Sequence, residues 1–173
     1  MAATWTGNPT TWQAGDLLTA AEFNAEFRDR FDWLKARLYN LWYSAAGFST
    51  TSTSFVDVDA GCSVNLVPTG TVALIMFSGG LNHSVADGET VLDLLQNGVS
   101  LGNTDGIMSH TASTASAMSG CSFFKVVTGL TAGVSYTFKL QWKVNGAGTA
   151  RMGGTATGNP QRIAASLLAI DFQ

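Results

Sequence analysis

Gly98-Val99-Ser100-Leu101-Gly102 has the spacing of a serine nucleophile elbow, G-x-S-x-G. That chemistry needs the serine on a sharp strand-to-helix turn, with a histidine base and an acid close in space. Here the match begins inside Asn97-Gly98, a hairpin signal between apolar runs, and no helical pattern follows. His83 and His110 are the only histidines that could serve as base, and both fall in polar stretches expected to face water. The segment therefore reads as the return strand of a hairpin. Asp57 and Asp59 are the only close acid pair on an expected strand, and they share one solvent-facing side. Glycoside hydrolysis would need two carboxylates facing each other across a cleft. Asp87, Glu89 and Asp105 are loop carboxylates without an EF-hand register. No His/Cys cluster has zinc spacing. Cys62 and Cys121 lie far apart, and their spacing leaves a disulfide open while favouring two buried free thiols. No catalytic residue, metal or cofactor is expected, and the chain reads as non-enzymatic.

The elements that would position these groups are short strands. Val56 and Val58 alternate with Asp57 and Asp59, and Val64 and Leu66 follow. Val91 to Gln96 meets Asn97-Gly98 and returns over Val99 to Leu101. Tyr136, Phe138, Leu140, Trp142 and Val144 alternate with polar residues, which gives one buried and one wet face. Ile163 to Phe172 closes the chain. Thr71 to Phe77 and Cys121 to Val127 differ, because they are apolar on both faces. In an antiparallel sandwich the outer face of a strand usually meets water. Something must cover these two strands, either a long loop or another subunit. The Gly-rich stretch from Gly146 to Gly158 reads as hairpin turns. The expected fold is mainly β: an antiparallel sandwich or jelly roll over residues 49–173.

Residues 1–48 have a different pattern. Trp5 and Trp12 sit in a polar, extended arm, where two indoles need a surface to dock against. Thr19-Ala20-Ala21-Glu22 fits a capping box that opens a helix. The helical pattern runs from Leu18 to Trp42, with Phe27, Phe31, Leu34, Leu38 and Leu41 stepping four, three, four, three. That is a heptad seam, with Asn24 on it as a register residue. Glu22, Glu26 and Arg30 line the outer face at i, i+4 spacing. Trp33, Tyr39, Trp42 and Tyr43 widen the apolar face near its end, Ala45-Ala46-Gly47 stops it, and Phe48 to Ser54 reads as a polar linker.

Charged residues make up only 12% of the 173, against 46% hydrophobic. A free monomer needs more charge to cover its surface, so part of that surface is expected to be buried against other chains. The formal net charge of −3 argues against nucleic acid as a partner. No apolar run is long enough to insert in a membrane, and the N-terminus has no leader-like basic and apolar pattern.

The opening TW…W.AGDLLTAAEFNAEFRDRFDWL is similar to an N-terminal pattern of tailed-bacteriophage virion proteins. The match lies in Trp12, Gly15, Leu18, Thr19, Ala20, Phe23, Asn24, Arg28, Asp29 and Leu34. Phe23 stands where that pattern has Leu. The closing YTFKLQWKVNGAGTARM…RIAASLLAIDF resembles the last strands of trimeric, C1q/TNF-like jelly rolls on phage appendages. The match there lies in Tyr136, Phe138, Leu140, Trp142, Lys143, Gly148, Thr149, Ala150, Arg162, Ser166, Leu167 and Ile170. The resemblance implies a homotrimeric structural protein of the virion with capsid or tail proteins as partners. It does not separate tail fibre, minor tail protein and head decoration, and it carries over no catalytic residue. On this reading the helix seam makes the trimer, Trp5 and Trp12 attach it, and the jelly roll projects. A module that binds a host-surface glycan is the alternative.

Overall fold

Period-two alternation becomes strand throughout the second part of the chain. The computed structural model describes residues 40–153 and 163–172. Their strands are β1 (Asn40–Ser44), β2 (Phe48–Thr50), β3 (Val56–Asp57), β4 (Ser63–Leu66), β5 (Val72–His83) and β6 (Glu89–Gln96). They continue with β7 (Val99–Ser100), β8 (Met108–Thr111), β9 (Ser119–Thr128), β10 (Tyr136–Asn145), β11 (Ala150–Met152) and β12 (Ala165–Phe172). The strands pair antiparallel in two six-stranded sheets. The first runs β1-β12-β5-β11-β2, with β9 on the other edge of β5. The second is built on β10 and β6, with β3 and β4 beside β10 and with β7 and β8 beside β6.

The inner faces meet in one apolar core. Ala73, Ile75, Phe77, Met152, Leu167 and Ala169 come from the first sheet. Val64, Leu92, Leu94, Phe138, Leu140, Trp142 and Val144 come from the second. Fully burying a side chain of this kind stabilises the fold by about 1.5–3 kcal/mol. The expected buried face of β10 is therefore the face that packs. The β6–β7 hairpin is also as expected: Asn97 and Gly98 both have positive φ, 49° and 82°. Two successive left-handed residues are what the tightest hairpin turn requires.

Two expectations for the front of the β domain are corrected. The helical pattern extends on paper through Trp42, but Asn40–Ser44 is a strand paired residue by residue with Ala165–Ala169 of β12. Leu41-Trp42-Tyr43 satisfies either period over so short a stretch, and edge pairing with β12 decides for the strand. Trp42 turns inward and meets Phe48, ring centroids 6.0 Å apart. The expected linker at Phe48 is likewise strand, since β2 pairs with Ala150–Met152 of β11. The sheet thus begins at residue 40 rather than 49. The rest of the expected helix lies outside the described residues, as do Trp5 and Trp12.

Both cysteines are free thiols. Cys62 is wholly buried, and Cys121 donates to the Gly79 carbonyl at 3.4 Å. Burial pushes each thiol up to about 12, so neither supplies thiolate near neutral pH.

Candidate functional site

The two outer faces of the sandwich have opposite chemistry. On the second sheet, the outward residues of β10 are tied down by polar contacts. Thr137 donates to Asn65 at 2.6 Å, Lys139 pairs with Asp57 at 3.0 Å, and Gln141 donates to Asp93 at 3.0 Å. Lys143 donates to the Thr104 carbonyl at 3.1 Å and lies 4.8 Å from the Phe55 ring centre. This face meets water on ordinary terms.

The outer face of the first sheet does not. Register places Leu41, Leu168, Met76 and Phe124 in one row across β1, β12, β5 and β9. The next row is Ile170, Leu74 and Val126, and the one after is Phe172, Val72 and Thr128. The opposite boundary is the uncharged row Tyr43, Ser166, Ser78 and Ser122. No residue of these rows carries a charge. Phe124 is 71% exposed, Tyr43 64%, Val126 52% and Leu41 49%. The doubled apolar pattern of Thr71 to Phe77 and Cys121 to Val127 is thus explained: one set of side chains fills the core and the other lines this face. Farther along β5 the same side is covered, with Met118 and Ile163 packed over Gly80.

The residues singled out for chemistry are dispersed. Ser100 lies in a hairpin strand, and its hydroxyl donates to Asp93 at 2.5 Å. Asp93 is fully buried and fixes Ser100 and Gln141 from beneath. Both line an open cavity of about 510 Å³ with Thr53, Ser54, Phe55, Asn103, Thr104 and Lys143. Neither histidine lines it. Asp57 is held by Lys139, and Asp59 accepts the Gly61 amide at 2.8 Å, so each acid serves its own turn or strand. Among the described residues no group of three or more His, Cys, Asp or Glu is placed to hold a metal.

His83 was expected in water and is instead wholly buried at the end of β5. Two glycines make the room: a Cβ at Gly88 would come within 1.8 Å of its Nδ1, and one at Gly148 within 2.4 Å of its Cε1. His110 stands on β8 opposite Thr90. Burial holds His110 below the ordinary imidazole range. In the unfolded chain it titrates near pH 6.5, so the unfolded state binds more protons just below that pH. The stability it contributes is complete above about pH 6.5 and is lost as pH falls through the lower folded value. Calorimetry across a pH series should show the melting temperature falling from pH 7 to pH 5. His110→Gln should flatten that slope. Glu89 adds a second acid limb below its own range, because Ser109 and Asn145 donate to its carboxylate.

Among the described residues these features define an all-β sandwich with one polar outer face and one apolar outer face that no other element covers. No family model matches the chain, and no curated protein does. Among solved structures it is similar to the VP2 subviral particle of infectious bursal disease virus, at 12% identity and TM-score 0.39, covering 78% of this chain and 38% of that one. It is also similar to the structure of the Gx strain of the same virus, at 12% identity and TM-score 0.37, covering 78% and 37%. A third similarity is to dimeric latent PorU from Porphyromonas gingivalis, at 12% identity and TM-score 0.30, covering 78% and 13%. The chain therefore spans well under half the length of each of these.

Proposed function

We propose that this chain is a structural protein of a bacteriophage virion, a homotrimeric appendage with a jelly-roll body. It attaches to capsid or tail proteins through its N-terminal arm and helix and acts by shape and buried area, not by chemistry. The observation that carries the reading is the uncharged outer face of the first sheet, uncovered among the described residues. A soluble monomer rarely keeps an apolar patch of that extent, and an assembly subunit needs one. The sequence adds the seam of Phe27, Phe31, Leu34, Leu38 and Leu41, and the docking indoles Trp5 and Trp12. Leu41 belongs to the sheet face, so the proposed seam keeps the other four.

The test is light scattering on the whole chain at micromolar concentration. The expected mass is three times the 18.2 kDa of one chain. Leu34→Asp combined with Leu38→Asp should lower that mass while the strand signal in circular dichroism persists. A monodisperse monomer in the parent protein would overturn the reading. Trp5→Ala with Trp12→Ala should leave the trimer intact and abolish incorporation into particles.

The cavity beside Phe55 favours a second reading, a module that binds a host-surface glycan. Ser100 and Gln141 present acceptors there, Lys143 presents donors, and Phe55 offers a flat ring edge. Reproducible hits on a glycan array, lost in Gln141→Ala, would select it.

A further inference from the structure

The uncovered face must be matched to one occupant, and its chemistry narrows the choice. We infer that the outer face of the first sheet is the surface by which copies of this chain pack on one another around the three-fold axis. The inference rests on the homotrimer reading and names where the β domains touch.

Three observations select a second copy. First, the face has no charge or fixed donor row with which to recognise a charged or extended partner. A flat block of aliphatic and aromatic side chains on a sheet is complementary above all to another such block, as in the packing of sheets about 10 Å apart. Second, its size fits. Four strands at ~4.8 Å spacing and seven residues at ~3.4 Å give a footprint on the order of 500 Å² once side-chain margins are included. A standard interface takes ~800 Å² from each partner. The face therefore supplies the larger part of a stable contact and leaves a remainder for the front segment. Third, the face carries one residue of the seam pattern. Leu41 is the last seam residue by spacing, and it stands on this face in the same row as Leu168, Met76 and Phe124. The 39 residues before Asn40 thus join the sandwich at the strand that borders the face. Around a three-fold axis each face meets both neighbours, and the row from Leu41 to Phe124 lies across the contact.

The experiment uses the full chain in two forms. Phe124→Asp with Val126→Asp places charges on exposed positions, so melting of the strands should change little. The trimer dissociation constant should rise by at least 100-fold, read by light scattering against concentration. Val99→Asp, on a residue 68% exposed in the hairpin and off the face, should leave the mass unchanged. In the second form, a benzophenone side chain replaces Phe124 in the otherwise unaltered trimer and is irradiated. Crosslinks between copies, mapped to β1, β5, β9 or β12, support the inference. Crosslinks only within one chain, to residues 1–39, overturn it and make that segment the occupant. A persistent trimer in the charged variant overturns the face while the homotrimer stands. A monomeric parent protein removes the homotrimer itself, so the two failures are distinguishable. The crosslinking arm decides even if the charged variant does not fold.

Discussion

Trp142→Ala should lower the unfolding free energy by about 3–5 kcal/mol, the usual range for deleting a large aromatic side chain from a core. Trp142 is 1% exposed and stands in the middle of β10. It is paired on one side with Leu92 of β6 and on the other with Val56 of β3. Residues held by strands on both sides cannot move in to fill the space, so little of the cavity closes. Urea unfolding followed by far-UV circular dichroism measures the effect as a shift of midpoint at unchanged slope. A loss under about 1 kcal/mol would show that the two sheets are not packed on this residue. Phe124→Ala is the contrast within the same domain. Phe124 is larger than most of the core side chains yet 71% exposed, and its removal should cost the β domain almost nothing.

Gly106→Ala should lower the unfolding free energy by about 2–4 kcal/mol. Two effects add. Gly106 has φ of +73°, where a side chain costs on the order of 1 kcal/mol. A Cβ there would also come within 2.4 Å of the Leu92 carbonyl oxygen, which is backbone in a central strand and cannot yield. Gly98→Ala isolates the first effect. Its φ is +82°, but nothing lies within 4 Å of the added carbon, so only the conformational cost of about 1 kcal/mol remains. Equal losses in the two variants would refute the steric part of the argument. The two denaturation midpoints measured side by side settle it.

Much of the sandwich was legible because its signals are local. The alternation from Tyr136 to Val144 needs only a pleated strand with one wet face. Asn97-Gly98 names its own turn. The double apolar character of Thr71 to Phe77 and Cys121 to Val127 pointed to an apolar outer face before any register was known. Other features depend on residues distant in the chain. Leu41, Trp42 and Tyr43 fit a helix and a strand equally over five residues, and the deciding partner, β12, lies more than a hundred positions on. His83 is buried because Gly88 and Gly148 leave a hollow, and the second of these is remote in sequence. The short strands β8 and β11 carry no distinctive alternation, and pairing with β6 and β5 alone defines them. Asp93 is the one polar residue in the run Val91 to Leu95. Its role in holding Ser100 and Gln141 appears only once the hairpin and β10 are laid against β6.

One property of β9 bears on how the protein behaves at high concentration. Among the described residues this ten-residue strand pairs with β5 alone, so its far margin offers a run of amides and carbonyls to any passing chain. Lys125 is the only charge along it. Natural sheets blunt such a border with prolines, bulges or charges, and Lys125, in the row of Ile75, is the one such device along this strand. Protein made at high concentration should therefore grow by strand addition into insoluble ribbons. An added lysine at Ser122 would guard the border at little cost to the fold.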